Sequence, residues 1–139
     1  MAAIGTRKLK IEIDAVEYTA SVSNARFTAA AGDSDFVSFA DAAGGGSRLY
    51  KLEGTAVQDA ASASIWSLIW DQAGTTVPVT LMPYGNATPT VAEPHFTADV
   101  VISEPDGDLL GGEANASTSA RFTIDFAWDC EAKPTKVTT

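Results

Sequence analysis

Apolar and polar side chains alternate along most of this chain, the period of a strand with one buried and one wet face. Leu9, Ile11 and Ile13 alternate with Lys8, Lys10 and Glu12, and Val16, Tyr18, Ala20 and Val22 with Glu17, Thr19 and Ser21. Between these runs stands Asp14-Ala15, the place for a two-residue hairpin turn. Such turns want positive φ at both positions, usually met by Asn or Asp followed by Gly. Ala15 departs from that rule and predicts about 1 kcal/mol of strain in a type I′ turn; a three-residue turn with a bulge would avoid it. Further strands are predicted at 24–28, 48–57, 77–84 and 95–103. Pro78 and Pro83 place the third of these at a sheet edge or confine the prolines to its ends. The last run is the longest, with Ala120, Phe122, Ile124, Phe126 and Trp128 inward against Arg121, Thr123, Asp125 and Asp129.

The period changes once. In 64–70, Ile65 and Ile69, and Trp66 and Trp70, stand four apart on helical stripes. Asp59, Ser62 or Ser64 can cap the start, and Gly74 marks the end. Both stripes are apolar, so this helix of roughly three turns is expected to be buried on more than one side. Residues 29–47 differ again, being mostly alanine, glycine and aspartate around Phe36, Val37 and Phe39. They read as a long loop or extended hairpin whose aromatics are best explained if the arm docks on something. The expected fold is mostly β: a single domain over 1–139, an antiparallel β-sandwich or barrel of about seven strands with one flanking α-helix.

Composition limits what such a domain can do. Of 139 residues, 24 are alanine and only 30 are Leu, Ile, Val or Phe, so the core is modest and a partner's apolar surface would complement it. The formal charge is −9, and between Leu52 and Ala132 the only basic residue is Arg121, against 12 carboxylates. A nucleic-acid binder needs cations for phosphates, and attraction to anionic lipid needs them too, so both are excluded as partners. The opening MAAIGTRKLK lacks a signal peptide's apolar stretch, and a lone cysteine, Cys130, suits a reducing compartment. Synthesis in a cytoplasm is the expectation.

Candidate chemistry is sparse. His95 is the sole histidine, with no serine elbow to serve, and reads as a surface or strand-end residue. Cys130 reads as a small packed apolar residue, and one His with one Cys cannot make a zinc site. Glu104, Asp106, Asp108 and Glu113 lack calcium-loop spacing, and Gly44-Gly45-Gly46-Ser47-Arg48 lacks the lysine of a phosphate loop. The chain is expected to be a non-enzyme without metal or cofactor.

The segments LKIEIDAVEYTASVSNARFT, VQDAASASIWSLIWDQAG, VPVTLMPYGNATPT and ISEPDGDLLGGEANASTSARFTIDFAW occur in the order found in major tail (tail tube) proteins of long, non-contractile-tailed phages, which the chain resembles from roughly Leu9 to Pro134. The resemblance implies a tail tube fold, assembled as homo-hexameric rings stacked into a tube in the virion tail, built in the host cytoplasm. DNA passes through such a tube during ejection without specific binding, and the other partners implied are tail proteins such as the tape measure and the tail terminator. It implies no catalytic residues, no cofactor and no membrane binding. It implies an inter-subunit arm, here carrying Phe36, Val37 and Phe39, and lumen-facing strands. Charge repulsion from DNA favours an acidic wall, whose candidates are Glu17, Thr19, Glu53, Thr55, Thr97, Asp99, Thr123 and Asp125. Two other readings share much of this pattern: a tube protein of another contractile or secretion machine, and a carbohydrate-binding or adhesion module, which would want aromatics exposed on loops.

Overall fold

A computed structural model describes residues 3–31, 36–45 and 48–139. The protein is mostly β, with one antiparallel sheet of eight strands flanked by a helix among the described residues. The strands are β1 (Lys10–Ile13), β2 (Val16–Glu17), β3 (Val22–Ala31), β4 (Arg48–Val57), β5 (Thr76–Met82), β6 (His95–Val101), β7 (Thr123–Cys130) and β8 (Thr135–Val137). The helices are α1 (Phe39–Ala43) and α2 (Ile65–Gln72), with one 3-10 turn at Thr19–Ser21. Strand order is β2-β1-β5-β6-β7-β4-β3, with β8 beside β6.

The weak link in this sheet gives it its sandwich-like form. β7 joins β6 through two residue pairs only, Val100 with Cys130 and Val101 with Asp129, while β8 takes the same edge of β6 at His95 to Thr97. The sheet folds there, and its two wings share one core. Ile11 and Ile13 of β1, Val77, Val79 and Leu81 of β5, Leu52 and Ala56 of β4, and Ile124, Phe126 and Trp128 of β7 belong to a single buried cluster. Trp128 is fully buried, with its ring centroid 4.9 Å from that of Phe126 and its Nε1 donating to the Ser103 carbonyl at 3.2 Å. Gly54 of β4 sits where no side chain fits: a Cβ there would meet the Asn24 carbonyl and lie 2.7 Å from Phe126 Cζ.

Local chemistry accounts for the turn and the main helix. Ile13 pairs with Val16 across Asp14 (φ 51°) and Ala15 (φ 65°), so the connection is the two-residue turn with both residues left-handed. No bulge relieves Ala15. Ser64 caps α2, its hydroxyl accepting from the Ser67 amide at 3.1 Å. α2 spans eight residues, somewhat over two turns instead of three.

Several boundaries depend on partners. The strand expected at 24–28 runs from Val22 to Ala31, because β4 pairs with it along its whole length. Alanines 29–31 carry no apolar alternation of their own. The last strand starts at Thr123, opposite Val57 where β4 ends, so Phe122 precedes the ladder and is 47% exposed. β5 is an inner strand between β1 and β6, despite Pro78. The Pro78 carbonyl accepts from the Asp14 amide at 2.8 Å, so its missing N–H faces the same side, toward a turn that does not need it. His95 is buried, not superficial: it is 7% exposed, and its Nε2 lies 2.9 Å from the Asn86 carbonyl.

Candidate functional site

Three surfaces carry the residues singled out by the sequence. The first is the outer face of the sheet, opposite the core. Because side chains alternate across a strand, the register decides who shares this face. Glu17 pairs with Glu12, Glu12 with Thr80, and Thr80 with Thr97, a polar row across four strands. Asp99 follows two residues after Thr97 on β6. On the other wing Glu53 stands between Arg26 and Ala127, and Thr55 pairs with Asp125. The Thr55 hydroxyl donates to Asp125 Oδ1 at 2.8 Å.

Seven of the eight candidate wall residues therefore lie on one face of one sheet. Thr19 does not. Its side chain turns inward along the 3-10 turn, and its hydroxyl accepts from the Ile11 amide at 3.2 Å, extending the edge of β1. Glu53, Thr55, Thr123 and Asp125 line a single open groove of about 720 Å³, rimmed by the loop 103–108. That groove holds the carboxylates Glu53, Glu104, Asp106, Asp108, Asp125 and Asp129 against two cations, Arg26 and Lys51. Lys51 Nζ lies 3.8 Å from Asp129, an exposed pair of small energetic weight. Thr97 and Asp99 line a second depression with Glu131 and Lys133. Among the described residues, no three His, Cys, Asp or Glu side chains are grouped closely enough to hold a metal ion.

The second surface is the arm. It is an extended hairpin, β3 against β4, whose tip carries α1; residues 32–35 and 46–47 of the predicted arm lie outside the described residues. Ser38 and Asp41 form a capping box at the start of α1, the Ser38 hydroxyl accepting from the Asp41 amide at 3.1 Å and the Asp41 carboxylate from the Ser38 amide at 3.4 Å. The Ser38-x-x-Asp41 spacing is a recognised helix signal, one that the reading of 29–47 as a long loop or extended hairpin passes over. Phe39 is 96% exposed, and Phe36 and Val37 are also exposed.

The third surface follows α2. Ile65 and Ile69 are fully buried against the core. The tryptophan stripe is different: Trp66 is partly buried and Trp70 is 51% exposed, the two rings stacked with centroids 5.3 Å apart. Within this chain, then, α2 is fully covered on the isoleucine stripe and only partly on the tryptophan stripe, where Trp66 packs against the core and Trp70 does not. Trp66 Nε1 donates to the Leu109 carbonyl at 2.7 Å, which ties the 109–112 loop to the helix. Gln58 clamps the same loop, its side chain accepting from the Gly111 amide and donating to the Gly111 carbonyl. Gly112 lies against the Phe122 ring, and Leu110, two residues before Gly112, is exposed.

Among the described residues, two titrating groups depart from ordinary behaviour, and both are held neutral. Burial, with Asp129 adding to it, pushes the Cys130 thiol up, away from the thiolate a nucleophile needs. Burial, and secondarily Asp14, raises the Tyr18 phenol. Among the described residues, no helix is long and apolar enough to cross a membrane. No protein-family model matches the chain, and no curated protein matches it in sequence.

Proposed function

We propose that this chain is a structural, non-catalytic subunit of a multi-copy tube: the tail tube of a long, non-contractile-tailed phage, in which hexameric rings stack and DNA passes through the lumen. The observation that carries the reading is surface. The chain exposes 8969 Å², whereas a compact monomer of its mass exposes roughly 6,900 Å². Phe39 on the hairpin arm and Trp70 on α2 are exposed apolar side chains of the kind a self-assembling subunit covers with its neighbours. The outer sheet face supports the same reading, since its acidic groove would repel DNA phosphates. In this reading the groove wing of the sheet faces the lumen. A secreted carbohydrate-binding module would instead carry its aromatics on loops, whereas Trp66 and Trp70 sit on α2 and Trp128 is in the core.

The test is negative-stain electron microscopy with sedimentation velocity on the purified full chain. Rings or tubes are expected. A monomer that persists at several hundred micromolar overturns the proposal. Placing the chain in the observed ring then tests the wall: axis-facing side chains that sum to a positive charge, or are chiefly apolar, exclude the acidic-lumen account.

A further inference from the structure

We infer that the arm tip of one copy seats on the apolar strip formed by Trp70, Trp66, Leu110 and Phe122 of the next copy, a head-to-tail contact; this rests on the tube reading above and names the partner surface of its arm. The strip is continuous through contacts already described: Trp70 stacks on Trp66, Trp66 bonds the loop at Leu109, and Gly112 at the loop's end meets Phe122. Trp70, Leu110 and Phe122 are 51%, 70% and 47% exposed. The tip offers matching chemistry. Phe39 is almost wholly uncovered, and Asp41, the one charge in 36–45, is satisfied by its own capping box. A pre-folded, apolar, internally capped turn loses little order or hydration when it docks.

Geometry makes the contact intermolecular. The arm leaves the body at Ala31 and Arg48, whereas the strip adjoins the other end of β4, where Gln58 follows Val57 and holds the loop. Ten residues of strand separate these ends, about 30 Å at 3.3 Å per residue. Phe39 accordingly covers no part of its own strip. Two different patches at opposite ends of one subunit form a heterologous contact, which propagates into rings or filaments instead of closing as a dimer.

Size fixes how the contact behaves. An aromatic side chain buries roughly 200 Å², so tip and strip together bury well under the roughly 1,000 Å² of a stable pairwise interface. One contact does not hold a dimer. Repeated around a ring it does, through effective concentration, so assembly is cooperative and free dimers are scarce.

The test uses full-length chains carrying Cys130→Ser, which removes the only native thiol. One preparation also carries Ala43→Cys, one helical turn after Phe39, and the other Ala73→Cys, three residues after Trp70; both positions are exposed and leave every apolar anchor in place. They are mixed, assembled and oxidised with copper phenanthroline, and linked peptides are identified by mass spectrometry. A 43–73 disulfide in the assembled fraction of the mixture is expected, and neither preparation alone yields it. In parallel, Leu110→Ser raises the critical concentration for assembly at least tenfold with circular dichroism unchanged. Tubes that form without a 43–73 link, or with normal critical concentration in Leu110→Ser, overturn the inference and leave the tube reading standing; in that case the strip serves a different partner. A wild-type chain that forms neither rings nor tubes defeats both.

Discussion

Replacing Phe39 with serine separates the energetics of this fold from those of its assembly. Phe39 is 96% exposed at the first position of a five-residue helix. Its removal takes almost no apolar surface out of the folded chain, and serine and phenylalanine are similar helix formers. Monomer stability should therefore move by no more than about 0.5 kcal/mol, as for other surface changes. Burial on a neighbour is another matter. Covering a phenylalanine contributes roughly 1.5–3 kcal/mol, equivalent to about 10- to 150-fold in each contact's equilibrium constant. The proposed hexamer repeats that loss six times per ring junction. Urea unfolding followed by circular dichroism measures the first quantity, and the critical concentration for sedimentable assembly measures the second. The expected result is an unchanged urea midpoint with the critical concentration raised tenfold or more. An unchanged critical concentration would falsify the docking role of the arm, and a urea midpoint lowered by more than about 1 kcal/mol equivalent would show that Phe39 belongs to its own chain's core.

Ala15→Gly should stabilise the chain by about 1 kcal/mol, since Ala15 holds φ 65° in a turn whose second position favours glycine; a fall in the urea midpoint would contradict the turn geometry. Gly54→Ala should cost about 1–3 kcal/mol through overpacking against Asn24 and Phe126, and a neutral thermal melt would mean that β3 and β7 can move apart there. The folded Tyr18 phenol titrates above its ordinary value of 10.0, so its contribution is complete below pH 10 and is lost as pH rises through the folded pKa. The wild-type urea midpoint should fall more steeply above pH 10 than that of Tyr18→Phe, and parallel curves would refute the assignment.

Local physics made much of this fold legible in the amino-acid order. Alternation marked Ile11, Ile13, Ile124, Phe126 and Trp128 as inward, and all five are buried. Asp59, Ser62 and Ser64 were the candidate caps of α2 and Ile65/Ile69 one of its two apolar stripes; the structure uses Ser64 and buries the isoleucines. The wall candidates Thr55 and Asp125 were legible as outward residues of their strands. Their meeting across β4 and β7 was not, because that pair joins residues 70 apart.

What only the tertiary structure decided follows from the same cause. Alternation reports which face a residue takes but not which strand lies beside it. Strand order therefore settled that Pro78 lies in an inner strand, where its missing N–H points at a turn. It settled that the alanines at 29–31 continue a strand, because β4 offers them a ladder, and that Phe122 falls outside one, because β4 has ended. His95 is buried where the loop that follows β5 meets its ring at the Asn86 carbonyl. The helix spacing identified two apolar stripes but not how many layers would cover them. One folded sheet covers Ile65 and Ile69 and leaves Trp70 half open to solvent, since a single chain of this size has no second layer to place there.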